Sequence, residues 1–275
     1  MKKIKNLLQI NESEFILEKI MALRQQKIIE LLASKESVTV KELSDLLDVT
    51  EVTIRTDLNS LEKLGKIIRT HGGAQLLEER ARQEYNFQTR KSLNSLRKMK
   101  IGKLASKFVN SLDSILLDSS TTALALAHAL KNRNDLIDVT VIPCGIWTAI
   151  ELMGCQHINV LLPSGYLRQS SGSITGLPAN NFLDTLTIKK AFLGALGISS
   201  EKGLTDIHLI EVELKKSIIS RVAEVTILVD GSKFKQTGLS AFAEISQVTR
   251  VITDSTAPKS EIEKLRDARV EVLVA

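Results

Sequence analysis

Two groups of side chains in this sequence have the types and spacing to do chemistry. The first is Leu117-Asp118-Ser119-Ser120-Thr121-Thr122, one carboxyl and four hydroxyls set between an apolar β-type run at 115–117 and a helical stretch at 123–130. A strand that ends in such a turn and opens a helix can receive an oxyanion, because free N–H groups at the helix N-terminus and the flanking hydroxyls hold a phosphate without a lysine-bearing nucleotide loop. No G-x4-G-K-[ST] motif occurs anywhere, which disfavours nucleotide hydrolysis. The second group is Thr50, Thr53, Arg55, Thr56, Asn59 and Lys63, outward positions of one predicted helix, followed by Arg69 and His71. Such side chains donate to phosphates or reach base edges when the helix lies in a major groove. Each group also has a plainer reading, a helix cap in the first case and a solvated helix face in the second.

These residues need elements to hold them. Apolar residues recur at helical spacing over 21–33, and 41–47 forms a second helix with Leu43, Leu46 and Leu47 inward. After a turn at 48–50, Thr50 N-caps a third helix whose Val52, Leu58, Leu61 and Leu64 face the core until Gly65 stops it. Residues 66–74 read as a strand, a Gly-Gly turn and a returning strand, a wing carrying Arg69 and His71. Further on, β-branched runs at 115–117, 139–142, 158–162, 191–193, 225–229, 251–252 and 270–274 alternate with helical spacing. That alternation predicts an α/β domain with a mainly parallel, Rossmann-like sheet. Ligands of such sheets bind beyond the strand C-terminal ends, where several of the loops at 163–168, 173–176, 194–198 and 230–234 are expected to converge with the Asp118 turn.

Charge separates the parts. Residues 79–110 hold nine bases against two acids, whereas 21–78 hold eight bases against nine acids, so bulk charge does not by itself make the first module a DNA binder. The domains expected are an N-terminal extension at 1–20, a DNA-binding module at 21–78, a basic linker at 79–97 and a sensing domain at 98–275, with Ser95 capping a helix from 96 to 109. Composition is that of a folded globular chain, at 43% hydrophobic and 25% charged. With no long apolar run and no signal-peptide pattern, a cytoplasmic location without membrane partners is expected. Cys144 and Cys155 belong to no CxxC pair, so neither a metal site nor a cofactor is expected.

The detailed pattern goes further than composition. Arg24-x3-Ile28-x3-Leu32, Thr50-x2-Thr53-Ile54-Arg55-Thr56-Asp57-Leu58, Leu61-Glu62-x2-Gly65 and Arg69-Thr70-His71-Gly72-Gly73-Ala74 resemble the winged helix-turn-helix of the DeoR family of bacterial transcriptional regulators. The stretch from Leu117 to Phe234 resembles that family's sensor domain, related in fold to ribose-5-phosphate isomerase. The resemblance implies a repressor of carbohydrate metabolism genes that is not an enzyme, with 50–64 as recognition helix, a double-stranded DNA operator as partner and a homo-oligomer, dimer or tetramer. It further implies that a phosphorylated sugar or related metabolite binds near Asp118, Ser119, Ser120, Thr121 and Thr122, with Gly165, Arg168, Gly176, Lys216 and Lys233 as further candidates. Lys233 is expected to pair with Asp230 when the pocket is empty. Asp57 is a candidate to orient Arg55, and Cys144 lies in a loop facing the pocket. The family's Asp-x-Gly-Thr-Thr here carries Ser120 at the glycine, its second basic helix residue is Thr56, its Thr-Asn is Pro143-Cys144, its Gly-Gly is Ser164-Gly165, and an acidic position is Leu196. Two alternatives stand beside this reading: a sugar-phosphate isomerase with Asp118 or Asp230 as base and Lys233 as its electrostatic partner, and a DNA-binding protein without a ligand.

Overall fold

The computed structural model describes residues 12–34, 37–63, 66–70, 72–76 and 87–275. The chain divides into two compact units, at residues 1–85 and 86–275. The break falls inside the segment expected to be a linker.

The first unit contains helix α1 (Glu12–Ser34), strand β1 (Val38–Thr39), α2 (Val40–Leu47), α3 (Glu51–Lys63) and the hairpin β2 (Ile67–Thr70) and β3 (Gly73–Leu76). Local chemistry sets these boundaries. Thr39 caps α2 in a capping box, its hydroxyl accepting from Glu42 N–H while the Glu42 carboxylate takes the Thr39 N–H. Asp48 ends α2 in the left-handed region at φ 51°. β3 lies between β1 and β2 in an antiparallel sheet, so the hairpin is the predicted wing. Ile28, Leu32, Val38, Val40, Leu43, Ile54, Leu58, Leu61, Ile67 and Ala74 form one core. Two expected core residues lie outside it: Val52 is 73% exposed and Leu46 is 55% exposed, because each falls on the outward side of its short helix.

The second unit opens with α4 (Phe87–Ser92) and α5 (Ser95–Ala105), which continues as a 3-10 turn to Phe108. The helix cap predicted at Ser95 is Asn94, which adopts φ 52° and makes no side-chain cap. Then follow β4 (Ser114–Leu117), α6 (Thr121–Lys131), β5 (Val139–Pro143), α7 (Ile146–Leu152), β6 (Ile158–Val160), the hairpin β7 (Tyr166–Leu167) and β8 (Ile174–Thr175), and α8 (Leu177–Asp184). The remainder is β9 (Lys190–Leu193), β10 (Gly197–Ser199), β11 (Gly203–Asp206), α9 (Leu209–Ile219), β12 (Glu224–Leu228), β13 (Ser240–Ala243), β14 (Arg250–Thr253), α10 (Lys259–Asp267) and β15 (Glu271–Val274).

Seven of these strands form one parallel sheet in the order β15-β14-β12-β9-β4-β5-β6. They are the seven β-branched runs of the sequence. Helices cover both faces over two buried clusters, one around Ile115, Leu117, Val141 and Phe192, the other around Leu116, Ala191, Ile227 and Val251. α5 and α6 pack very closely: a Cβ on Gly102 would meet the Ala125 carbonyl carbon at 2.4 Å, so only glycine fits there. β10, β11 and β13 make a separate small antiparallel sheet.

Candidate functional site

The strand order reverses between β4 and β9, since the chain fills one side of β4 with β5 and β6 and the other with β9, β12, β14 and β15. Such a switch point leaves a crevice beyond the strand ends. Asp118 follows β4 and Gly194 follows β9, so both stand at its mouth. Asp118 is 3% exposed and its carboxylate is fully engaged. Oδ1 accepts the Ser120 N–H at 3.0 Å and Oδ2 the Gly194 N–H at 2.7 Å, with the Lys215 ammonium 3.4 Å away. A Cβ on Gly194 would come within 2.6 Å of the Ser120 Cβ, so a bare backbone is needed for this approach.

Ser120 stands where the resemblance implied a glycine. Its backbone sits at φ −76° and ψ 153°, ordinary for any residue, and its hydroxyl caps α6 by accepting the Ala123 N–H at 3.1 Å. The serine thus takes the turn without strain and caps the helix. The first-turn amides of Thr121 and Thr122 have no intrahelical acceptor and remain the natural anion donors.

Around this turn lies a charge network. Lys215, on the inner face of α9, donates to Asp206 Oδ2 at 2.7 Å and to the Gly194 carbonyl at 2.8 Å, and its ammonium lies 4.9 Å from the Phe242 ring centroid. Burial opposes the charge on Lys215, but Asp206 and Asp118 outweigh it and raise its pKa. Burial likewise pushes the Asp206 carboxyl up, and Lys215 more than reverses this, holding it below the usual range. Glu211, also on α9, accepts from Arg168 at 3.0 Å and from the Ser173 hydroxyl at 2.5 Å.

The predicted effector residues therefore separate. Asp118, Ser119, Ser120, Thr121, Thr122 and Arg168 line one region. Lys216 does not join them: its side chain is 49% exposed and pairs with Glu213 at 3.3 Å, and the inward lysine is its neighbour Lys215. A Cβ on Gly165 would lie 2.8 Å from the Thr175 carbonyl oxygen, and one on Gly176, at φ 98°, would lie 3.0 Å from the Tyr166 ring, so both glycines serve chain packing. Lys233 sits on the 3-10 turn Gly231–Lys235 with its ammonium 3.4 Å from Gln236 Oε1. Asp230 accepts from Ser232 N–H at 3.0 Å and from Asn94 Nδ2 at 3.3 Å. Cys144 is wholly buried in the core beside Leu116 and Ile142 instead of facing the crevice, and burial raises its thiol pKa. Sequence reading missed Lys215, Asp206 and Glu211. For Lys215 and Glu211 the signal is the phase of α9, which turns 211, 212, 214, 215 and 218 inward, whereas Asp206 ends the short strand β11.

In the first unit α3 carries the predicted DNA contacts. The Thr50 hydroxyl accepts the Thr53 N–H at 3.3 Å, so Thr50 caps α3 as expected. Arg55 is exposed and pairs with Glu51 one turn back at 3.0 Å, a surface pair worth about 0–1 kcal/mol, so its guanidinium is readily given up to a phosphate or base. Thr56 donates to the Val52 carbonyl at 3.0 Å. Asn59 accepts from Arg69 at 2.6 Å, and Arg69 also donates to the Gly73 carbonyl at 3.3 Å, tying wing to helix. Asp57 has another task than orienting Arg55. It is 1% exposed and receives Arg24 Nε, Arg24 Nη2 at 3.3 Å and Gln25 Nε2 at 3.3 Å, which bolts α3 to α1. The Lys63 side chain, Gly65, His71 and residues 1–11 and 79–86 lie outside the described residues.

No described helix is long and apolar enough to cross a membrane. Among the described residues no group of three or more His, Cys, Asp or Glu is placed to hold a metal ion.

A winged helix-turn-helix followed by a switch-point domain is the architecture of a transcriptional regulator with a sensor. The chain belongs to the DeoR family: a DeoR-like helix-turn-helix domain matches residues 24–80 and the DeoR C terminal sensor domain matches residues 93–255. It is 37% identical to the uncharacterized HTH-type transcriptional regulator YulB of Bacillus subtilis, over 92% of this chain and 96% of that one. It is 36% identical to the HTH-type transcriptional regulator GolR of Listeria innocua, over 92% and 98%. The glycerol-3-phosphate regulon repressor of Escherichia coli is 31% identical over 90% of this chain and 97% of its own. The protein is thus a DNA-binding transcriptional regulator and not an enzyme. Ribose 5-phosphate isomerase A of Methanocaldococcus jannaschii superimposes at a TM-score of 0.38 with 24% identity, over 51% of this chain and 54% of its own, too loosely to carry that enzyme's chemistry across.

Proposed function

We propose that the protein represses carbohydrate metabolism genes and is controlled by a phosphorylated sugar or related metabolite held at the switch point. The observation that carries this reading is the Asp118–Thr122 turn, where helix-terminal amides and hydroxyls stand at the switch point and the carboxylates beside them are each already paired, Asp118 and Asp206 with Lys215 and Glu211 with Arg168. An incoming phosphate meets donors there and little unpaired negative charge. The E. coli relative, named as a glycerol-3-phosphate regulon repressor, supports the same chemistry. DNA contact falls to α3 and the wing, with Thr50, Thr53, Arg55, Thr56 and Asn59 on the helix and Arg69 bracing the hairpin. We further propose that the protein works as a homo-oligomer in the cytoplasm, since one small module buries little DNA surface and paired modules read repeated half-sites.

The test is binding of the purified protein to its own upstream DNA at fixed salt, titrated with phosphorylated sugars and their unphosphorylated forms. A phosphorylated compound that weakens DNA affinity while its parent sugar does not is the expected result. DNA binding that no compound alters would overturn the sensing half of the proposal and leave the DNA half standing.

A further inference from the structure

The short helix α4 stands immediately after the boundary with the DNA-binding unit, and three contacts hold it to the rest of the second unit. Phe87 N–H donates to the Ser170 carbonyl at 2.8 Å, the Phe87 ring stacks on Trp147 at 5.7 Å and 22°, and the buried Lys98 ammonium caps its end through the carbonyls of Arg90 and Leu93. Arg90 is the unusual member. Its Cζ lies 5.7 Å from the Phe87 ring centroid, and its guanidinium makes no hydrogen bond or ion pair with any described residue. Burial disfavours its charge, while Glu211, Asp206 and Asp118 favour it and Arg168 opposes it, so the charged groups of the candidate pocket act on it. Those three carboxylates are already engaged by Arg168, Lys215 and backbone amides, which leaves the five donors of Arg90 open. A second orphan shares the Phe87 ring: the Trp147 Nε1–H is buried with no acceptor among the described residues. Two unpaired donors, each packed against the same Phe87 ring, are complementary to a ligand rich in acceptor oxygens.

We infer that α4 is a lid on the sensor pocket, and that a phosphorylated ligand draws it down through Arg90 and so passes pocket occupancy to the chain leading into the DNA-binding unit. This rests on the phosphosugar reading above, and the experiment separates the two. Trp147 is the chain's single tryptophan, so its fluorescence reports the lid directly. The full-length protein and its Arg90→Gln and Arg90→Lys variants are titrated with glycerol 3-phosphate, ribose 5-phosphate, fructose 1-phosphate and fructose 6-phosphate. Thermal shift reads binding, and acrylamide quenching of Trp147 reads the lid. For a compound that binds, quenching of the wild type falls at saturation. Arg90→Gln raises Kd about tenfold and loses the quenching response, and Arg90→Lys recovers part of both, as expected for a lost charge-assisted hydrogen bond. A thermal shift with unchanged quenching, or an unchanged Kd in Arg90→Gln, overturns the lid and leaves the phosphosugar reading intact. Absence of any thermal shift across the panel overturns that reading and the lid with it.

Discussion

At the scale of single residues, neighbours in sequence do opposite work. Arg55 is exposed and loosely paired, whereas Asp57, two positions on, is buried beneath Arg24 and Gln25. Arg55→Ala is therefore expected to weaken operator affinity without moving the unfolding midpoint of the first unit. Asp57→Asn should cost that unit about 3 kcal/mol, because removing one partner of a buried pair leaves the other charge uncompensated. A denaturant titration beside a DNA-binding isotherm on both variants checks this, and equal loss of stability in the two would contradict it. The two cysteines divide in the same way: in the native protein iodoacetamide should label the half-buried Cys155 and spare Cys144, which burial keeps as a thiol. Mass spectrometry of the labelled peptides decides it. Such pairs also mark where sequence reading runs out. Lys215 and Lys216 are the same residue type in adjacent positions, and only the exact phase of α9 against the sheet sends the first to Asp118 and the second to solvent. Asp57 was matched to Arg55, its neighbour in sequence, because its true partner lies 33 positions away in α1.

Elements were legible where burial on two sides imposed a composition. All seven strands of the parallel sheet show as apolar runs, since a strand covered by helices on both faces has no polar alternation to blur it. The strands β7, β8, β10, β11 and β13 did not show, being two to four residues long and set among glycines and polar residues. The Asp118 turn was legible because a strand, hydroxyls and a helix follow in order, and the tolerance of Ser120 became evident only from its backbone angles. The corner between α4 and α5 was read instead as basic linker, since nothing in the charge of Lys98 announces that it is 7% exposed.

That burial brings a pH dependence. Desolvation lowers the Lys98 pKa from its ordinary 10.5 to about 7, with Asp230 opposing the shift and Lys233 and Arg90 adding to it. Between about pH 7 and pH 10 the unfolded chain holds a proton that the native chain does not, so this residue makes stability rise with pH across that window. Below it both states are protonated and the contribution levels off. Urea unfolding of the wild type against Lys98→Met should show the rise in the first and lose it in the second. Parallel profiles would mean that Lys98 keeps its ordinary pKa.

Over the whole molecule, each unit owns its core. The cluster around Ile28, Leu43 and Leu58 shares no residue with the two clusters that flank the parallel sheet. Calorimetry should resolve two transitions, and a sugar phosphate that binds the switch point should raise only the one belonging to residues 86–275. Asp118→Asn is expected to abolish that rise while DNA is still bound, because it strips the charge that orders Ser120, Gly194 and Lys215 around the pocket. A retained rise in that variant would move the site elsewhere.

The close packing of Gly102 against α6 has a mechanical meaning for such a regulator. With the Ala125 backbone 2.4 Å from the place a Cβ would occupy, α5 meets α6 backbone to backbone at Gly102, which resists rolling or sliding at that point. Asn94, in the left-handed conformation at the head of α5, is then a fulcrum on which the short helix α4 turns. A stiff mount makes a small displacement at Arg90 arrive as rotation instead of being absorbed as give, and Gly102→Ala, by loosening the mount, should blunt the response to effector more than it weakens either binding event.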